Sequence, residues 1–204
     1  QNVSSARVNN SGNGGLIEII AGAPVGSAGA ISGLANISSK GAALTAATAG
    51  QGGVVTLIGR GGITFAGSAT VDTRGAASGA VAFGNNVSML SAASIDGAGV
   101  SIVTNSGGDG AAVANSGIVT AISGADYLDA GTTGVGGTVT INRAPSGALG
   151  GFIKLASINT SALTASGTGG TVQLGAWGNN GTVALSGSIN SNSGATAGGA
   201  GSVT

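Results

Sequence analysis

TVQLGAWGNNGTVALSGSINSNSGATAGGAGSVT, residues 171–204, holds one whole unit of a repeat and the start of the next. Three short runs follow one another in it: Val172-Gln173-Leu174, Val183-Ala184-Leu185, and Ile189 followed by Asn190. Apolar residues two apart, bounded by glycine and small polar residues, have the period of a strand and not of a helix. The closing Gly201-Ser202-Val203-Thr204 begins the first run again.

The same order recurs upstream. The first run reads as Ile17/Ile19, Val55/Leu57, Val81/Phe83, Val139/Ile141, Val172/Leu174 and Val203, with Val119 placed in the same column. It usually follows a pair such as Gly14-Gly15, Gly52-Gly53, Gly136-Gly137 or Gly169-Gly170. The second run reads as Ile63/Phe65, Val87/Met89, Ile153/Leu155 and Val183/Leu185. The third is an apolar residue followed by a small polar one: Val8-Asn9, Ile37-Ser38, Val71-Asp72, Ile95-Asp96, Leu128-Asp129, Ile158-Asn159 and Ile189-Asn190. Successive members of this third series are 29, 34, 24, 33, 30 and 31 residues apart. Self-similarity on that scale signals a repeat architecture.

Composition narrows the kind of repeat. Of 204 residues 43 are Gly and only 2 are Pro, 42% are hydrophobic and 6% charged. Disordered chains of such glycine content are poor in β-branched residues, and collagen needs glycine at every third position with abundant proline. Neither description fits. A few apolar residues per repeat cannot close a globular core, but stacked copies bury a continuous column. The expected fold is therefore all-β, a parallel β-helix (β-solenoid) forming one domain over 1–204, with six to seven coils of roughly thirty residues. A β-sandwich also has many short strands, but does not explain why the order of runs repeats.

Alternation places Val172, Leu174, Val183, Leu185 and Ile189 inward, with Gln173 and Ala184 outward. Both ends are expected to fall inside a repeat, making Val8 and Val203 the edges available for assembly. Residues 96–120 fit worst: Val100-Ser101-Ile102-Val103 is an extra apolar run, and Gly107-Gly108-Asp109-Gly110 opens what reads as an excursion.

The segments Gly53-Val-Val-Thr-Leu57, Gly62-Ile-Thr-Phe-Ala-Gly-Ser-Ala-Thr-Val-Asp-Thr-Arg-Gly75 and Gly181-Thr-Val-Ala-Leu-Ser-Gly-Ser-Ile-Asn-Ser191 resemble the repeats of filamentous-haemagglutinin-type exoproteins and autotransporter passengers. The likeness covers nearly the whole chain. It implies a right-handed β-helix, secretion across a bacterial envelope to the exterior or cell surface, and work as the shaft of an adhesin or fibre, with a cell-surface glycan or host receptor as possible ligand.

The residue inventory bears on chemistry. Histidine and cysteine are absent, which removes the usual general base and the thiol nucleophile. Six basic and six acidic residues balance to zero, so there is no basic stripe for nucleic acid. No apolar run is long enough for a membrane span, and no cofactor is implied. Asp72, Asp96 and Asp129 fall in one column of the repeat, where stacked carboxylates could hold Ca²⁺ or work as paired acids on a glycan. The same position also reads as a corner whose Asp or Asn caps the turn, and the mixture with Asn9, Ser38, Asn159 and Asn190 suits a cap better. Trp177, in a connection, is a candidate sugar-stacking platform or a cover for a core corner. Six N-x-S/T triplets, beginning at Asn2, Asn9, Asn36, Asn86, Asn159 and Asn180, are what so Asn-, Ser- and Thr-rich a chain produces by chance.

Two structural functions follow, neither enzymatic. One is a stretch of a long adhesin shaft. The other is a subunit whose open last coil is covered by the first coil of the next copy, giving a head-to-tail filament by β-strand addition. Low charge and small side chains also suit lateral association.

Overall fold

The structure, a computed structural model, describes residues 3–4, 12–22, 29–45, 48–76, 82–106, 117, 119–123, 125–129, 140–143, 151–162, 167–176, 181–193 and 200–204. Every regular element among them is a strand and none is a helix. Two sheets carry the architecture, and every strand pair within them is parallel. The smaller joins Ile17–Ala21, Val55–Gly59, Val87–Leu90, Val119–Ser123 and Val172–Ala176 in that order. The larger has nine strands, among them Ile31–Leu34, Ile37–Ser38, Ile63–Phe65, Ala69–Asp72, Ile95–Val103, Phe152–Asn159 and Thr182–Leu185.

The chain visits three stations in fixed order. The first is the five-stranded sheet, with Ile17, Val55, Val87, Val119 and Val172 in register. The second stacks Ile31, Ile63, Ile95, Ile153 and Val183. The third stacks Val3, Ile37, Val71, Ile102, Ile158 and Ile189. Second and third stations belong to one sheet because Ile95–Val103 and Phe152–Asn159 run through both, shifting register between Gly97 and Ser101. Elsewhere a corner separates them, as where Gly67, at φ 75°, turns the chain from Ile63–Phe65 into Ala69–Asp72. A residue with a Cβ adopts that conformation only with strain.

Alternation explains the core. In the passes through Val55, Ile63 and Val71, and through Val87, Ile95 and Ile102, each of these residues is 0% exposed, as are Leu57 and Met89. Intervening residues such as Thr56, Ser88 and Thr120 are half-buried on the outer side. The stations on both sheets contribute to a single apolar cluster.

The register departs from the sequence expectation in the middle of the chain. Val87 belongs to the first station rather than the second, and Ile95 to the second rather than the third, where Ile102 sits instead. Residues 96–103, expected in the irregular stretch 96–120, are thus paired within the sheet, and Val119 takes the first-station place expected of it. The departure from the pattern comes later. Ala125–Asp129 and Thr140–Arg143 form a separate antiparallel ribbon that pairs with neither large sheet, so Ile141 and Leu128-Asp129 occupy no station. Val3 fills the third-station place expected of Val8; Val8, Val81 and Val139 lie outside the described residues.

Among the described residues five passes visit all three stations, with Val3–Ser4 before them and Val203, bridged to Val172, after them, against the six to seven coils expected; the ribbon adds none. The outer edges differ in burial: Ile17 and Ile31 are 6% and 5% exposed, against 42% for Val183 and 54% for Val203.

Candidate functional site

The most regular polar feature lies at the corner where the third station leads into the next first station. Two residues past each third-station apolar residue stands a hydroxyl: Ser39, Thr73, Thr104, Thr160 and Ser191, none more than 9% exposed. A buried hydroxyl must find a partner, and each does so on the carbonyl two residues before a first-station strand. Thr73 Oγ1 donates to Asn85 O (2.5 Å), Thr104 Oγ1 to Gly117 O (2.9 Å) and Thr160 Oγ1 to Gly170 O (2.8 Å). The partners reciprocate, since Asn85, Gly117 and Gly170 donate their N–H groups to the carbonyls of Thr73, Thr104 and Thr160 at 3.0, 2.9 and 2.8 Å. Each connection is thereby pinched shut at its neck. Ser39 and Ser191 bond instead to Gly15 and Gly170, at the start of their own passes.

Glycine makes the close approach possible. A Cβ at Gly14, Gly52, Gly84 or Gly169, three residues before a first-station residue, would run into the carbonyl of Ser39, Thr73, Thr104 or Ser191 respectively. Each of those carbonyls ends the pass that its glycine begins. The glycine pairs legible before the first run therefore mark contact between the end of a pass and its own beginning.

The acidic candidates are dispersed. Asp72 ends a third-station strand beside this corner. Its Oδ1 accepts from Arg74 N (3.1 Å) and Arg74 Nε (2.9 Å), and its Oδ2 from Arg74 Nη2 (2.7 Å). The bond to Asp72 raises the Arg74 pKa against the opposing effect of partial burial. Both carboxylate oxygens are engaged, and the bond to the N–H two residues on is the geometry of a turn cap. Asn159, in register with this position, does the same: its Oδ1 accepts from Ser161 N at 3.1 Å and from Asn105 Nδ2 at 3.0 Å. Asp96 is not in this column but at the second station, in register with Thr64 and Lys154. Asp129 is opposite Thr140 in the ribbon. The reading that puts Ile95 one station too far along carries Asp96 with it, so the three aspartates do not stack. Among the described residues no three His, Cys, Asp or Glu come together as a metal cluster.

Val203 is an exposed edge residue, held by backbone bonds around it: Val172 N–H to Ser202 O (2.8 Å) and Thr204 N–H to Val172 O (2.9 Å). Val8 and Trp177 lie outside the described residues. An open groove of about 210 Å³ is lined by Ala98, Lys154, Leu155, Ala184, Leu185 and Ser186, and the Lys154 ammonium stands 4.5 Å from the centre of the Phe152 ring. The groove is smaller than the clefts that enclose small-molecule ligands.

The hydroxyl column has a signal in the sequence. Ile37-Ser-Ser39, Val71-Asp-Thr73, Ile102-Val-Thr104, Ile158-Asn-Thr160 and Ile189-Asn-Ser191 share the form apolar-x-hydroxyl. At the corner the buried hydroxyls bond to backbone carbonyls. The chain matches no protein-family model, no curated protein and no solved structure.

Proposed function

We propose that the chain is a structural column, a right-handed parallel β-helix (β-solenoid) that serves as the shaft of a bacterial surface adhesin or extracellular fibre. The observation that carries the reading is the corner: the Ser39 carbonyl meets Gly14 at the start of its own pass and accepts from Gly53 N at 2.6 Å at the start of the next. A chain whose pass ends beside its own beginning, one strand further along, is winding. Right-handedness follows from the near-universal hand of parallel crossovers. The resemblance of Gly62–Gly75 and Gly181–Ser191 to exoprotein repeats supports an extracellular, surface-bound setting.

A shaft needs stiffness and resistance to unfolding rather than a pocket, and the paired polar corner and the buried inner stations support that. The last pass leaves inward residues Val183 and Val203 at 42% and 54% exposure. This favours a second reading, end-to-end stacking of copies by strand addition, although the opposite edge, with Ile17 and Ile31 covered, is a poor mate for it. Electron microscopy of the 204-residue chain tests both. Separate particles about 25 Å along the column axis, five passes at the spacing of paired strands, are expected for a shaft segment. Filaments with that axial repeat would instead establish stacking, and a circular dichroism spectrum with substantial helix would overturn the column itself.

A further inference from the structure

We propose that the column binds a second copy of itself side to side, with Leu16 and Glu18 on the first pass of one copy seated in the groove beside Lys154 on the later passes of the next. Among the described residues three large apolar side chains are exposed: Leu16, Val183 and Val203. Val183 and Val203 are inward residues left open at the last edge. Leu16 differs in kind. It precedes Ile17, which belongs to the apolar core, so alternation turns Leu16 and Glu18 to the outer face, and both are exposed there. Two residues along a strand stand about 7 Å apart. Glu18 makes no ion pair with a described residue. The residues flanking Val183 and Val203 are Thr182, Ala184, Ser202 and Thr204, whose side chains carry no charge. Of the three, Leu16 is therefore the one that offers an apolar side chain with a carboxylate beside it.

The groove is its counterpart. Ala98, Leu155, Ala184 and Leu185 make it apolar, and its volume of about 210 Å³ suits a single aliphatic side chain. The one charged residue in its lining is Lys154, which is exposed. The Lys154 ammonium stands 4.5 Å from the centre of the Phe152 ring, a cation–π contact that holds the charge on this face. Asp96, on the neighbouring strand, is in register with Lys154, yet no ion pair joins them. An apolar slot beside a cation matches an apolar side chain beside an anion, and opposite charges across a contact fix its register and reject other partners. Val183 or Val203 of another copy would fill the slot but leave Lys154 unmatched. Leu16 and Glu18 flank the five-stranded sheet and the groove lies on the nine-stranded one. The contact is therefore heterologous: each copy gives Leu16 to one neighbour and its groove to another, building staggered chains or a ring. A contact centred on one side chain and one ion pair is of the weak, transient class, with dissociation on the order of 0.1 mM.

The inference rests neither on the shaft reading nor on end-to-end stacking, which uses Val183 and Val203 instead. Sedimentation velocity of the 204-residue chain from about 10 μM to about 1 mM brackets the expected constant, and association is expected within that range. Glu18→Lys alone and Lys154→Glu alone set like charges against each other and should each weaken association at least about tenfold. An equimolar mixture of these two variants should associate again, because each then meets an opposite charge on the other. Leu16→Ser, which keeps the charges and removes the apolar side chain, should weaken association at least about fivefold. All three positions are exposed, so the variants are expected to keep the parent's circular dichroism. A parent that stays monomeric at about 1 mM, a single variant that associates as well as the parent, or a mixture that stays apart would each overturn the proposal. Undiminished association in the three variants, together with its loss in Val203→Ser, would assign the contact to the last edge instead.

Discussion

Two buried columns run through the same passes and obey opposite rules. At the second station Ile63, Ile95 and Ile153 are each 0% exposed, and at the corner so are Ser39, Thr73, Thr104 and Thr160. The isoleucines are held by shape and by exclusion from water, which a residue of similar size also satisfies. The hydroxyls are held by specific bonds, and their neighbouring glycines by contact with backbone. The stations therefore tolerate conservative exchange, whereas the corner demands particular residue types. The corner is also where the end of a pass comes into contact with its own beginning.

The largest effect should come from the corner's glycines. In Gly52→Val the added Cβ meets the Thr73 carbonyl, and backbone on both sides leaves it nowhere to move. We expect a loss of at least about 4 kcal/mol, among the severe classes of single substitution, read as a collapse of the guanidinium midpoint. A midpoint near the parent's would show that passes can part at this corner, and would undo the contrast with the stations.

Second in size is a cavity at a station. Leu57 is 0% exposed between Val55 and the next pass, so Leu57→Ala should destabilise by about 3 kcal/mol. Val203→Ala, at an edge residue 54% exposed, should stay within about 0.5 kcal/mol. Equal losses at the two positions would mean that the edge is covered in solution, and sedimentation of the parent chain would then report association.

How much of this was legible follows from the same contrast. Apolar alternation announces itself, and the parallel strands at Val55/Leu57, Ile63/Phe65, Ile153/Leu155 and Val172/Leu174 were read at their correct stations. The errors at Val87 and Ile95 arose because apolar-polar alternation looks the same at every station; nothing in Val87-Ser-Met89 says which sheet it joins. The corner carries the missing information. The apolar-x-hydroxyl form admits Ile102-Val-Thr104 and rejects Ile95-Asp-Gly97 and Leu128-Asp-Ala130. This form sets the register and excludes Asp96 and Asp129 from the column of Asp72. It is faint because serine and threonine are so common here that a hydroxyl at any one place carries little weight; only its recurrence beside a buried carbonyl gives it meaning.

Third comes the hydroxyl itself. Thr104→Val keeps the shape but leaves Gly117 O without the hydroxyl at 2.9 Å, and should cost about 1–3 kcal/mol. Thr104→Ser should recover most of that, since Ser39 and Ser191 occupy the same column in other passes. If valine were as good as serine, the corner would obey the rule of the stations after all. Urea melts of the pair decide between the two.

The smallest effect separates the cap at Asp72 from its ion pair. Arg74 is 46% exposed at its side chain and Asp72 10%, so the pair is partly screened and contributes at most about 1 kcal/mol. The Arg74 pKa is raised by its bond to Asp72. The stability linked to that charge is present below the group's unfolded pKa and lost only as pH rises through the still higher folded one, beyond the range in which the chain would be studied. The arginine therefore adds no pH dependence near neutrality, and salt is the better probe. Asp72→Asn retains an oxygen to accept from Arg74 N, as Asn159 accepts from Ser161 N, and surrenders the charge together with the bond from Arg74 Nη2. We expect a loss of about 0.5 kcal/mol that shrinks toward zero in 1 M salt, where screening is nearly complete. Asp72→Ala removes the cap as well and should cost about 1 kcal/mol more, independently of salt. If Asn proved as damaging as Ala, the charge would be the essential part, and the presence of Asn159 and Asn190 in that column would contradict the capping role assigned to it.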